Sequence, residues 1–507
     1  MEQKNFVLAL VLSLGFILLW SVFVVPRFSP PAPPASTAPL NSPAAVNNTM
    51  PDSRQSITQG KVETVTVRNA DNTIVLDPRG GGVQSWMLNA KSQTFDLVRD
   101  ATALPLPLAS FPDTLFKISV QPDGAVMRAT LPNHIEVTKT LTLSPTGHLH
   151  TIQFRFHNPS ASAIQLEKWE WGWGPGLNTV PTEQKENAGL IRGLTMGPLK
   201  AHVVHENDQQ PFGSWVGIDN RYFLVAFIPT SAHITDFRVT GKKETTRVHL
   251  VETTPVPPHS DITLAYDLYV GPKGYTQLKT YHRHIEESVD FGTFGPIGKL
   301  ILSALYRLKA VTGNYGVSII ILTLCLQVML MPLTLKSFKA ANAMKKLQPK
   351  IAKLQELYKG DPKRLNVEMM NLYKSSGTNP FGGCLPMLLQ LPIFWALFTT
   401  LRNAYELRGA PFVGWIHDLS VHDPYYILPV VMGGGMFLQQ RMTGATTDPT
   451  QRQMMYMMPI MFTFMFMNFP AGLVLYWMTN SFATITFQYF YLRATTGTPN
   501  RPEIIRP

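Results

Sequence analysis

GVSIIILTLCLQVMLMPLTL, residues 316–335, is an uncharged and almost wholly apolar run with one amide, Gln327, near its centre. About 20 apolar residues is the length at which an α-helix crosses the hydrocarbon of a bilayer. A polar amide at that depth is costly unless something satisfies it. Gln327 is therefore either a tie between helices or part of the lining of a wet cavity. Thr323 lies one helical turn earlier, on the same face.

Outward from this run the chain is uneven. Its 507 residues carry 44 Lys+Arg against 33 Asp+Glu, a net charge of +11. No basic run is interleaved with aromatics on a soluble face, which excludes direct nucleic-acid recognition as the reading of that charge. The two cysteines, Cys325 and Cys384, lie in or beside apolar segments, so there is neither a disulfide framework nor a cysteine metal site.

Phe6–Val25 is a further apolar run behind Lys4, too long for a signal-peptide core and without a clear small-residue cleavage site close behind it. Residues 1–25 are expected to be an uncleaved signal anchor. Residues 26–56 are rich in Pro, Ala and Ser and make a semi-extended tether. From 57 to 281 the period is two: VETVTV (62–67), HIEVTKTLTL (134–143), TIQFRF (151–156) and ITLAYDLYV (262–270) are separated by turn signals such as DPRGGG (77–82). One large antiparallel β-sandwich outside the membrane is expected. Within it WEWGWGPG (169–176) reads as core plus a Gly-rich bend in preference to a peptide or lipid cleft. YHRHIEE (281–287) reads as a solvated linker helix in preference to a metal site.

The segment 282–312 is read as a linker and an interfacial helix. Within 296–311, Ile297, Leu300, Ile301, Ala304, Leu305, Leu308 and Val311 fall on one face. After residues 316–335, further spans are expected at about 385–401, 425–440, 454–468 and 473–492, six in all with the N-terminal anchor. The loop 336–385 holds ten basic residues against Glu356, Asp361 and Glu368, whereas 402–424 holds only Arg402 and Arg408. The basic loop belongs in the cytoplasm, which places both termini in the cytoplasm and the β-region in the periplasm. Met344, Leu347, Ile351, Leu354 and Tyr358, then Leu365, Met369 and Leu372, make 336–385 a helical hairpin with a basic exterior. It is either a solvated connector or a docking surface carrying Lys345, Lys346, Lys350, Lys353, Lys363 and Arg364.

Enzyme chemistry has no recognisable seat. There is no HExxH, GxSxG or phosphate-binding glycine loop, and no charged residue inside the five C-terminal spans. A proton-coupled transporter usually has at least one such charge. Neutral polarity takes their place: Thr323 and Gln327, then Gln390, Thr399 and Thr400, then Gln439 and Gln440, then Thr479, Asn480, Ser481, Thr484 and Gln488. Half of the 22 methionines fall between Met432 and Met478, and Met461, Met465 and Phe469 recur every four residues. Methionine is flexible and suits greasy partners of many shapes.

NPFGGCLPMLLQLPIF (379–394), WIHDLSVHDPYYILP (415–429) and FPAGLVLYW (469–477) occur in the order found in the YidC/Oxa/Alb membrane protein insertases, and the chain resembles that family over essentially its whole length. The resemblance implies a polytopic α-helical inner-membrane protein of the Gram-negative branch, with a periplasmic β-supersandwich and a five-helix insertase core at 313–493. It implies no cofactor and no nucleotide hydrolysis. It implies insertion and folding of nascent membrane proteins, alone or beside the Sec translocon, with cytoplasmic loops meeting the ribosome and lipids around the spans. By the same resemblance Gln327, Thr323, Gln390, Trp477 and Asn480 fall in a hydrophilic groove, and Leu391, Phe394, Met461, Met465 and Phe469 form an apolar slide on the third and fifth spans. Gln327 stands where relatives usually carry an arginine, so a groove working by hydration is expected instead of one working by fixed charge. Trp477 stands where many relatives have tyrosine. The tail 494–507 is short and only mildly basic, which shifts the expected ribosome contact to the hairpin. Two other readings remain: a transporter with a periplasmic receptor domain, which intramembrane charges or an inverted repeat would favour, and a scaffold for other membrane complexes.

Overall fold

A computed structural model describes residues 63–496, apart from 91–92, 188, 199, 207, 209–212, 232–235, 379–384 and 444–448. The anchor expected at 1–25, the tether at 26–56 and the tail beyond 496 lie outside the described residues. The chain forms two compact units, one of Lys61–Gln348 with Asn379–Pro507, the other holding Pro349–Thr378.

Alternation becomes antiparallel sheet throughout the β-region. Strands β1 (Val65–Arg68), β2 (Asn72–Asp77), β3 (Gly82–Ala90) and β4 (Gln93–Asp96) form a four-stranded meander. Next along the chain are β5 (Lys117–Gln121), β6 (Gly124–Thr130), β7 (Glu136–Thr142), β8 (Leu149–Asn158) and β9 (Ile164–Trp173). Strands β10 (Arg192–Met196), β11 (Ala201–Val204), β12 (Val216–Asp219) and β13 (Phe223–Pro229) follow, and then β14 (Asp236–Thr240), β15 (Arg247–Val256) and β16 (Ser260–Pro272). The largest sheet has nine strands in the order β11-β10-β12-β13-β16-β8-β7-β6-β5, and the third has the order β14-β15-β9.

Trp169, Trp171 and Trp173 alternate inward along β9 and are buried. Trp171 meets Tyr266, Phe154 and Phe227 with ring centroids 4.8, 5.0 and 5.1 Å away. WEWGWGPG is therefore sandwich core, and the cleft reading falls away. Gly172 is required by β9–β15 pairing, because a Cβ there would lie 1.9 Å from the Val248 carbonyl oxygen. Buried Lys139 donates to the carbonyls of Gly81 at 2.8 Å and Leu108 and so ties two loops together.

The linker departs from expectation. Residues 285–288 make a single 3-10 turn in which Ile285 and Ser288 are buried, so YHRHIEE is not a solvated helix. Helix α1 (Gly295–Thr312) ends where Gly313 takes a left-handed φ of 73°. Its buried face is Gly298, Ile301, Leu302 and Leu305, while Leu300 and Val311 are 70% and 88% exposed. The side packed within the protein crosses closely at Gly298, where a Cβ would meet Thr400 Oγ1 at 2.8 Å.

Helix α2 (Tyr315–Leu357) runs without a break through Leu335, so the first arm of the expected hairpin continues the span. Helix α3 (Pro362–Ser375) starts with Asp361 accepting from the Arg364 amide at 3.1 Å. Helices α4 (Leu385–Asn403), α5 (Ile427–Thr443), α6 (Pro449–Phe466) and α7 (Ala471–Thr496) overlap the remaining expected segments. Among the described residues α2 is long and apolar enough to cross a membrane, and Met455–Phe466 is a shorter apolar stretch. Helices α5 and α6 approach closely at Gly433, where a Cβ would lie 1.9 Å from Thr463 Oγ1.

Candidate functional site

Helical spacing brings the amides of three segments to one place. Gln327 on α2 donates through Nε2 to Asn480 Oδ1 on α7, and to Thr484 Oγ1 at 3.3 Å, one turn further along the same helix. Gln390 on α4 donates to the same Asn480 Oδ1 at 3.0 Å and reaches the Tyr476 hydroxyl at 3.5 Å. Asn480 is thus a shared acceptor joining α2, α4 and α7. Gln327 is 5% exposed and forms the closed base of the cluster, whereas Gln390, Asn480 and Thr484 are half-buried at its open side. Every bonded side chain here is neutral. Thr323 is buried one turn from Gln327, with its hydroxyl donated to the Ile319 carbonyl at 2.7 Å, so it adds shape but no free donor.

Trp477, one turn before Asn480 on α7, packs among aromatic rings. It faces Phe394 edge-on with centroids 5.0 Å apart, Phe466 at 5.5 Å and Phe462 at 6.2 Å. Phe398 joins Phe469 at 5.7 Å, and Phe469 meets Phe466 at 5.0 Å. Phe394, Phe469 and Met465 are therefore half-buried parts of an aromatic wall beside the polar cluster. Leu391 and Met461 stand outside it, 39% and 59% exposed, and Met461 shares an exposed apolar stripe with Met457, Ile460 and Phe464. The five expected slide residues divide into this wall and this outward face. Sequence reasoning missed Phe398, Phe462 and Phe466, although Phe398 follows Phe394 by four residues and Phe462, Phe466 and Phe469 are spaced by four and three.

Among the described residues no group of three His, Cys, Asp or Glu is placed to hold a metal. Of the six basic positions expected to dock a partner, Lys345 and Lys346 are exposed on α2. In the separate unit Pro349–Thr378, Lys350, Lys353, Lys363 and Arg364 are exposed, and the Arg364 guanidinium lies 5.6 Å from the Tyr358 ring.

Two family profiles match the chain: that described as 60Kd inner membrane protein over residues 307–498, and that described as YidC periplasmic domain over residues 119–304. The membrane protein insertase YidC of Endomicrobium trichonymphae is 39% identical over 526 residues, covering 97% of this chain and 98% of its own. The insertase of the same description from Syntrophus aciditrophicus is 33% identical, covering 96% and 99%. A crystal structure of an active YidC insertase aligns over 85% of this chain and 94% of its own at 16% identity, with a TM-score of 0.42.

Proposed function

This chain belongs to the YidC family of membrane protein insertases, which are not enzymes, and from that premise we propose that the amide cluster and the aromatic wall handle a nascent membrane protein. The observation that carries this reading is the adjacency of Asn480, with Gln390 and Gln327, to the aromatic pair Phe394 and Trp477 on the same helices, α4 and α7. A substrate's polar tail needs donors and acceptors while it is out of bulk water. Neutral amides supply both without the roughly 2.5–3.5 kcal/mol that a charge costs at the centre of a span. The substrate's apolar segment travels along Leu391 and Met461 into lipid, where methionine adapts to side chains of different shape.

No nucleotide is hydrolysed in this scheme. Burying an apolar segment is itself downhill, at about 0.3–0.6 kcal/mol for each central Leu, Ile, Phe or Val, which sums to several kcal/mol over a span. The protein works in the bacterial inner membrane with six spans, both termini in the cytoplasm and the β-domain in the periplasm. Positive charge on the loop side of α2 supports that orientation. Ribosomes bind the exposed lysines of 345–364, and the protein acts alone or beside the Sec translocon.

The test is insertion of a single-span protein with a short polar leading tail into liposomes holding the purified chain, without nucleotide. Insertion above protein-free liposomes, lost in Gln390→Leu/Asn480→Leu, is expected. Equal insertion into protein-free liposomes, or full activity of the double variant, would overturn the proposal.

A further inference from the structure

We infer that the β-domain acts on the helical core through the loop 404–424, keyed into the domain by Tyr405 and Arg408 as positioning residues. The inference deepens the insertase reading and rests on it for its functional consequence.

Tyr405 directly follows the turn after α4, yet it packs with the hydrophobic core of the β-domain. It is 6% exposed, with the rings of Tyr222 and Phe223 at 6.3 and 6.2 Å. Arg408 is equally buried. Its guanidinium donates to Gln93 Oε1 at 2.7 Å and lies 4.5 Å over the Phe95 ring. A buried arginine stacked on an aromatic face and bonded to an amide has exchanged its water for fixed partners. Arg408 thus meets β4 and Tyr405 meets β13, both strands of the sandwich. The side chains bridge elements more than 180 residues apart in sequence.

The same loop ties the ends of the core helices. Asn314, before α2, donates to the Phe412 carbonyl at 2.9 Å. A Cβ on Gly316 would overlap the Phe412 ring, so α2 starts in contact with the loop. Asp423 is fully buried and caps α5 through the Leu428 amide at 2.7 Å, while also accepting from Trp415 Nε1 at 2.9 Å. The first amides of α7, Ala471 and Gly472, donate to Val421 and Leu419 at 2.7 and 2.9 Å. Loop 404–424 therefore holds the ends of α2, α4, α5 and α7, which include all three helices of the amide cluster. The linker adds a second tie, since Asn403 donates to the Asp290 carbonyl and Thr399 to the Phe291 carbonyl, each at 2.8 Å. Asp290 itself pairs with Arg192 of β10 at 3.6 Å.

A plate fixed to several helix ends moves only as a body. Seating it in a sandwich core removes its remaining freedom, and with it the drift of Gln390 against Asn480.

The test compares the full chain in nanodiscs with Tyr405→Ala/Arg408→Ala by hydrogen exchange and by insertion into liposomes. At least tenfold faster exchange of the Leu419, Ala471 and Gly472 amides is expected, with strands β7, β8 and β16 still protected and insertion reduced several-fold. Tyr405→Phe keeps the ring and is expected within about twofold of wild type in both. Unchanged exchange in 404–424 overturns the inference. Equal acceleration across the β-strands also overturns it, because the pair then merely stabilises the domain. Wild-type failure to insert strikes the insertase reading alone, since the exchange arm still decides whether the loop is held by the β-domain.

Discussion

Asn480→Leu removes the acceptor shared by Gln327 and Gln390 while keeping a side chain branched at Cγ. Side-chain hydrogen bonds between transmembrane helices are worth about 0.6 kcal/mol on average and at most about 1.7. Two lost bonds therefore cost about 1.2 kcal/mol, roughly a sevenfold loss in the ratio of assembled to separated helices. Gln327→Leu removes one bond to Asn480 and one to Thr484, a similar sum. The two variants share one bond, so together they should cost about 0.6 kcal/mol less than their sum. Reversible unfolding in mixed micelles measures this coupling. If the cluster also receives substrate, insertion by Asn480→Leu falls further than its stability loss explains, because a donor and an acceptor have left the open side. Additive stability effects within about 0.3 kcal/mol would refute the shared-acceptor geometry. Insertion at the wild-type rate would refute the cluster's role in function.

Gln327→Arg should rescue depletion of the native insertase better than Gln327→Leu, since arginine keeps donors towards Asn480 whereas leucine keeps none; equal rescue would sink the hydration reading. The β-domain should lose stability in acid. Burial first, then the neighbouring His148, pushes His150 down to about 3, and burial also lowers His148. The folded domain thus binds fewer protons than the unfolded chain between about pH 6.5 and 3, and stability is lost as pH falls through that window. At about 1.4 kcal/mol per pH unit, His150 alone removes roughly 2 kcal/mol between pH 6.5 and 5, and a flat unfolding profile there would contradict its burial. Gly433→Ala should destabilise the helical core by about 1–3 kcal/mol through its clash with Thr463, most of it recovered in Gly433→Ala/Thr463→Ala, as thermal unfolding can check.

How much of this was legible depends on where each signal lives. Alternation along WEWGWGPG is a local pattern, so Trp169, Trp171 and Trp173 were readable as core from the chain alone. A helical wheel shows which residues of α1 are apolar but not which neighbour covers them; Gly298 against Thr400 marks the side packed within the protein. Composition changes at Lys336, and that was read as the end of the span and the start of a separate hairpin. It marks a change of solvent, while the backbone of α2 continues. The polar candidates were legible as a set, but the convergence of Gln327 and Gln390 on Asn480 joins residues 153 and 90 positions apart, which spacing within one segment cannot show. Tyr405 and Arg408 gave no sign at all, since a single tyrosine and arginine in a loop have no period.

The most direct measurement of the central claim is site-specific photocrosslinking to ribosome-stalled nascent membrane proteins, with probes at Phe394, Met461 and Asn480. Met329, exposed elsewhere on α2, is the control. Crosslinks at the three sites and none at Met329 are predicted. Absence of crosslinks with engaged ribosomes, or equal yield at Met329, would contradict the account and leave the amides as ties between helices.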